Sequence, residues 1–178
     1  RGSFWVITRR QFIVGGLAGA ASLGFGSYAV AFEPRFRLIV TEWDLPSARW
    51  PHERPLRIVL VADIHACRPW MPPERIRWIV EKANALGGDI ILVLGDYISG
   101  IADHYGGAHV PAAEWGAALA GLRAPLGVHA IMGNHDWWSD PELVKATLAE
   151  AGIPLYQNRA VQLEGDAPGG FRILLYVV

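Results

Sequence analysis

Cysteine is nearly absent from this sequence: Cys67 stands alone among 178 residues. No disulfide can close within the chain, and no cysteine cage for zinc can be built. Charge of one sign is lacking too. Sixteen Lys and Arg face 17 Asp and Glu, a formal net charge of −1, which excludes the basic footprint of a nucleic-acid binder. Histidine stops early: no histidine follows His135. Internal repeats and low-complexity segments are missing. What remains is a globular composition, 52% hydrophobic, long enough for one domain with a real core. Eight tryptophans are available for core or interface, and composition does not say which.

The first residues read as separate from the domain. Thr8, Arg9, Arg10, Gln11, Phe12 and Ile13 precede an uncharged stretch from Phe12 to Phe32, with Ala29 and Ala31 in an A-x-A arrangement. This pattern resembles a twin-arginine export signal and assigns residues 1–31 to it. A plain membrane anchor is the alternative, since 21 uncharged residues can span a bilayer. Either way the domain at 36–178 is expected to be exported and extracytoplasmic, periplasmic or held at the cytoplasmic membrane. The expected partners are the twin-arginine export machinery, the membrane surface and a substrate, with no nucleic acid.

Along the domain, 35–43 (RFRLIVTEW) alternates like a strand. The run 56–63 (LRIVLVAD) is continuously apolar, as for a strand buried on both faces. A helix is predicted from Pro72–Pro73, with Ile76, Ile79, Val80, Ala83 and Leu86 as one stripe and Gly87–Gly88 as its stop. The segment 89–96 (DIILVLGD) repeats the buried-strand signal, a glycine-rich loop follows, and a helix is expected over Ala112–Leu122. Then come a strand at 127–133, a helix opened by Asp140 and Pro141 and closed by Gly152, and strands at IPLY, AVQLE and FRILLYVV. GDAPGG reads as the turn between the last two. Strand and helix alternating in this way predict an α/β fold, a mostly parallel or mixed sheet with flanking helices.

Three polar clusters interrupt the pattern, each directly after a predicted strand: Asp63 and His65, then Asp96, then Asn134, His135 and Asp136. In open α/β sheets ligands bind at that carboxyl edge, so the clusters should converge. Carboxylates, imidazole and an amide oxygen suit divalent ions of the manganese, iron or zinc type. Asp63 and His65 are two apart, and on an extended segment both would face one side and reach one ion. Singly, each Asp or Asn is more economically a cap or turn residue. Together with two histidines they argue for a metal site. His52, His104, His109 and His129 read as solvated loop or strand-edge residues, and Cys67 as a small packed side chain. Trp70, Trp137 and Trp138 follow the motifs. Core packing is their default, and an apolar rim for a lipid-bearing phosphate ester is the sharper alternative.

In this order, D-x-H at Asp63–His65, G-D-Y at Gly95–Tyr97 and G-N-H-D at Gly133–Asp136 resemble the calcineurin-like metallophosphoesterase family. The flanking words are similar to its exported bacterial branch, which includes membrane-associated phosphodiesterases and UDP-2,3-diacylglucosamine hydrolase relatives. The resemblance implies the N-terminal part of a four-layer α/β/β/α sandwich holding two divalent metal ions. Asp63 and His65 would bind the first ion, Asp96 would bridge, and Asn134 would bind the second. His135 would protonate or stabilise the leaving oxygen, with Asp136 orienting it. The implied reaction is hydrolysis of a phosphomonoester, phosphodiester or pyrophosphate by a metal-bridging hydroxide. The family's later histidine motifs do not follow Asp136, so a truncated domain is expected. A non-catalytic metal-binding domain or an inactive fragment is the alternative.

Overall fold

A computed structural model describes residues 8–47, 50, 55–98, 100, 107–165 and 171–177. Two compact units divide the chain, Arg1–Ser47 and Ala48–Val178. In the first, helix α1 (Arg9–Ser27) begins at Thr8 with a reciprocal cap. The Thr8 hydroxyl accepts from the Gln11 amide at 3.2 Å, and the Gln11 side chain accepts from the Thr8 amide at 3.0 Å. Two orphan donors of the helix end are satisfied at once. A π-helical turn, Tyr28–Phe32, leads into α2 (Glu33–Phe36). Among the described residues no helix is long and apolar enough to cross a membrane. The strand predicted at 35–43 does not form: Arg37–Trp43 has no regular structure. A strand needs a neighbour for its backbone groups, and among the described residues this segment has none.

The second unit is an α/β domain. Strands β1 (Ile58–Val61), β3 (Ile90–Val93) and β5 (Val128–Ala130) form a parallel sheet in the order β1-β3-β5. Val61 pairs with Val93, and Val93 with Ala130, so the three strands end side by side. Short β2 (Cys67–Arg68) and β4 (Ala108–His109) pair antiparallel, as do β6 (Arg159–Gly165) and β7 (Phe171–Val177). Helices α3 (Pro73–Ala85), α4 (Ala112–Leu119), α5 (Asn134–Ser139) and α6 (Pro141–Glu150) complete the unit. Ile76, Val80 and Ala83 of α3, Trp115 and Leu119 of α4, and Val144 and Leu148 of α6 share one buried cluster with Val59, Val61, Ile91, Val93 and Ala130 of the sheet. Tyr97 stacks on Trp115 inside it, ring centroids 5.5 Å apart.

Several expectations are corrected. β1 is not buried on both faces: Val59 and Val61 face the helices, while Ile58 and Leu60 are 48% and 52% exposed. Period-2 alternation decides this, because the helices cover one face of an edge strand. The helix from Ala112 ends at Leu119, three residues short of the prediction. IPLY makes a single bridge, Leu155 to Ala130, and not a strand. His129 is buried rather than solvated, its ring held between the Leu126 carbonyl at 2.8 Å and the Tyr156 hydroxyl at 3.2 Å. Cys67 is a buried small side chain, as read. The turn at 166–170, His52 and His104 lie outside the described residues.

Candidate metal centre

Parallel pairing does not stop where the sheet ends. Beyond it, Leu94 N–H donates to the Val61 carbonyl at 2.8 Å, His65 N–H to the Asp96 carbonyl at 2.8 Å and Ala66 N–H to the Tyr97 carbonyl at 2.9 Å. These bonds fasten the loop after β1 to the loop after β3. Asp63, His65 and Asp96 all take left-handed backbone, at φ of 55°, 43° and 58°. Such angles are uncommon outside glycine and cost on the order of 1–3 kcal/mol each where they persist. Asp63 and His65 therefore do not converge by strand alternation, as the sequence suggested. His65 turns toward Asp96, whereas the Asp63 side chain stays 70% exposed, near His65 but outside the group that His65, Asp96 and His135 form.

Close backbone approach joins the third loop. A Cβ on Gly95 would lie 2.1 Å from the Gly133 nitrogen, and one on Gly133 would lie 2.0 Å from Asp96 Oδ1. Two glycines thus let the Asp96 carboxylate rest on the start of α5, where the His135 amide donates to Oδ1 at 2.9 Å. Asp96 is 9% exposed. A carboxylate at that depth needs partners, and its second oxygen faces the cluster.

His65 completes the donor set. Its Nδ1 lies 3.3 Å from the Ile98 carbonyl, which can only accept, so Nδ1 carries the proton there. In the neutral ring Nε2 is then the lone-pair nitrogen, and it lies 3.7 Å from Asp63 Oδ1 and 3.8 Å from Asp96 Oδ2. Those gaps are too long for hydrogen bonds. They lie a few tenths of an ångström beyond the roughly 3.0–3.4 Å that separates ligands sharing one ion with bonds of ~2.0–2.2 Å. Ligand atoms of His65, Asp96 and His135 all lie within 4.8 Å of one another. The rings of His65 and His135 meet edge to face, centroids 4.8 Å apart. A backbone carbonyl fixing the tautomer of a ligand histidine is the usual outer-shell arrangement. The donor set fits a divalent cation.

The other predicted residues sit at varying removes. Asn134 opens α5 beside His135, exposed, and among the described residues its side-chain amide has no partner. Trp138 is 75% exposed with its ring on His135, centroids 5.3 Å apart. Trp137 is exposed beneath Lys145, whose Nζ lies 5.6 Å from the ring centroid. Trp70 is half-buried in the tight turn that Cys67 and Met71 close. Asp136 is fully buried, and its carboxylate is spent on backbone amides. Oδ2 accepts from Asp96 at 2.8 Å and Gly133 at 2.9 Å, and Oδ1 from Tyr97 at 2.8 Å and Ile98 at 3.1 Å. Neither oxygen is bonded to the His135 ring, which the sequence reading had Asp136 orienting.

The family profile described as calcineurin-like phosphoesterase matches residues 56–169, which contain every residue of this cluster. The chain belongs to that family. A Caenorhabditis elegans protein carrying a provisional metallophosphoesterase name is 34% identical over 124 residues, 66% of this chain and 23% of its own length. UDP-2,3-diacylglucosamine pyrophosphatase LpxG of Chlamydia trachomatis and that of Chlamydia muridarum are each 31% identical over 112 residues, 62% of this chain and 31% of their length. The chain thus spans 23% to 31% of the length of the curated relatives it matches. No solved structure matches it significantly.

Calcineurin-like phosphoesterases use divalent metals, and His65, Asp96 and His135 are the grouped candidate ligands of this one. Sequence reasoning overlooked the parts of the candidate site that are backbone: the Ile98 carbonyl and the glycine contact between Gly95 and Gly133. Both glycines stood in the quoted motifs. Nothing in a single sequence says that one will touch the other.

Proposed function

We propose that this phosphoesterase domain hydrolyses a phosphoester or pyrophosphate bond outside the cytoplasmic membrane. Asp63, His65 and Asp96 would hold one divalent cation, and Asn134 would offer its amide oxygen to a second. The observation that carries the reading is His65 Nε2 standing 3.7 Å from an Asp63 carboxylate oxygen and 3.8 Å from one of Asp96, its other nitrogen placed on the Ile98 carbonyl. When bound, such ions supply Lewis acidity toward phosphoryl oxygens and offset the charge that develops as the ester bond breaks.

The chain's own residues do the rest. Asp96 is held by the His135 amide, so its carboxylate is aimed before any ligand arrives. The half-buried His135 ring stands at the mouth of the cluster and gives a proton to the leaving oxygen. Trp138, whose ring meets that of His135, offers apolar surface to a lipid-linked substrate. Support for lipid linkage comes from the two relatives named for UDP-2,3-diacylglucosamine. Export by the twin-arginine route rests on Thr8–Ile13 and on Ala29 and Ala31.

The test is manganese binding by the purified chain, then hydrolysis of p-nitrophenyl phosphate and bis-p-nitrophenyl phosphate, beside Asp96→Asn and His135→Ala. Manganese-dependent turnover lost in both variants, with binding lost in Asp96→Asn, supports the reading. Metal bound without turnover would make this a binding domain, and no metal at all would sink the site.

A further inference from the structure

Asp136 is the most deeply buried carboxylate of the motifs, at 0% exposure, and no step of the proposed chemistry uses it. Its two oxygens receive N–H bonds from Asp96, Gly133, Tyr97 and Ile98, all within 2.8–3.1 Å. Three of those donors belong to the loop after β3, which carries Asp96 and, through the Ile98 carbonyl, orients His65. The fourth belongs to the turn before α5, which carries Asn134 and His135. One carboxylate therefore ties together every backbone segment that positions the cluster after β3 and β5.

We propose that Asp136 is a positioning residue for the metal centre: it fixes the distance from the Asp96 carboxylate and the His65 ring to the start of α5. It neither touches the substrate nor aims the His135 ring. The physical reason is that four converging N–H dipoles would repel one another if gathered without an anion between them. A carboxylate turns their crowding into four charge-assisted bonds. A neutral amide cannot substitute: an Asn at 136 would present its own N–H groups to two of the four donors. The loop after β3 would then relax away from α5, taking Asp96 and Ile98 with it. This inference rests on the metal-site reading above.

The experiment has two parts, both on the full chain. Amide hydrogen exchange without metal follows Asp96, Tyr97, Ile98 and Gly133 in the parent and in Asp136→Asn. Manganese titration then follows both chains, with Leu148→Ala as a control that opens a core cavity away from the cluster. Protection should fall at those four amides in Asp136→Asn, and manganese affinity should drop by at least about ten-fold, as for other partners behind metal ligands. Leu148→Ala, with a comparable loss of melting temperature, should keep its affinity within about two-fold, which a merely destabilising role for Asp136 would not predict. If Asp136→Asn does not fold, Asp136→Glu, which keeps the charge and shifts it by one methylene, takes its place with the same expected direction. Loss of protection with unchanged manganese affinity overturns the positioning role. A parent chain that binds no manganese overturns the metal reading and this inference with it, and the parent titration alone tells that outcome from the previous one.

Discussion

Gly133→Ala should damage the metal centre as well as the fold. Gly133 has φ −91° and ψ 176°, extended backbone that any residue adopts, so space is the only objection to a side chain. The added Cβ would stand 2.0 Å from Asp96 Oδ1, 2.5 Å from its Cγ and 2.6 Å from its nitrogen. Ordinary contact begins at 3.4 Å, so the carboxylate or the turn must retreat by about 1.4 Å. Asp96 cannot swing freely, because the His135 amide holds the same oxygen. Metal ligands tolerate errors of about 0.2 Å, and a misplacement of ~1 Å in a reacting geometry costs on the order of a hundred-fold. Manganese affinity should fall by about a hundred-fold, while overpacking costs the fold about 1–3 kcal/mol. Gly87→Ala is the matching control: its φ of +63° makes any side chain strained, but nothing lies within 4 Å. It should cost about 1–2 kcal/mol and leave metal binding alone. The assay is manganese titration with urea unfolding on the same samples. Parent-like affinity in Gly133→Ala would refute the steric argument.

Two further outcomes are expected. Burial first, and the Asp136 carboxylate second, raise the Tyr97 phenol far above its ordinary 10.0, and its hydroxyl donates to the Ile131 carbonyl at 3.1 Å. A raised folded value means stability that is complete below about pH 10 and declines as pH climbs above it. In a phenolate absorbance titration, one of the five tyrosines should stay silent until the chain unfolds, and five titrating in the folded chain would contradict the burial. Trp138→Ala should spare hydrolysis of bis-p-nitrophenyl phosphate and lower it on a lipid-linked ester, because the exposed ring touches His135 from outside. Equal effects on both esters would remove the rim from the reading.

The candidate ligands His65 and Asp96 were legible in the sequence because the chemistry depends on residue type and on position after a strand, whereas the place of His135 in the same group was not. Apolar runs at 56–63 and 89–96 and the stripe from Ile76 to Ala83 are local signals, and the parallel sheet and its helices follow from them. Local signals misled where a neighbour decides the outcome. The alternation at 35–43 did not become a strand without a partner, and β1 kept one face exposed because helices cover only the other. In the centre, D-x-H suggested extended backbone, but Asp63 and His65 adopt left-handed angles held by bonds to the Gly95–Tyr97 loop.

By itself, then, the sequence determined which side chains could bind a cation and which strand ends would carry them. Only the tertiary structure decided how they meet. The Ile98 carbonyl selects the His65 tautomer, Gly95 and Gly133 let two loops touch, and Asp136 gathers four amides from segments about 40 residues apart. Backbone groups are the same in every residue, so their pairing leaves no mark on the sequence until the chain has folded.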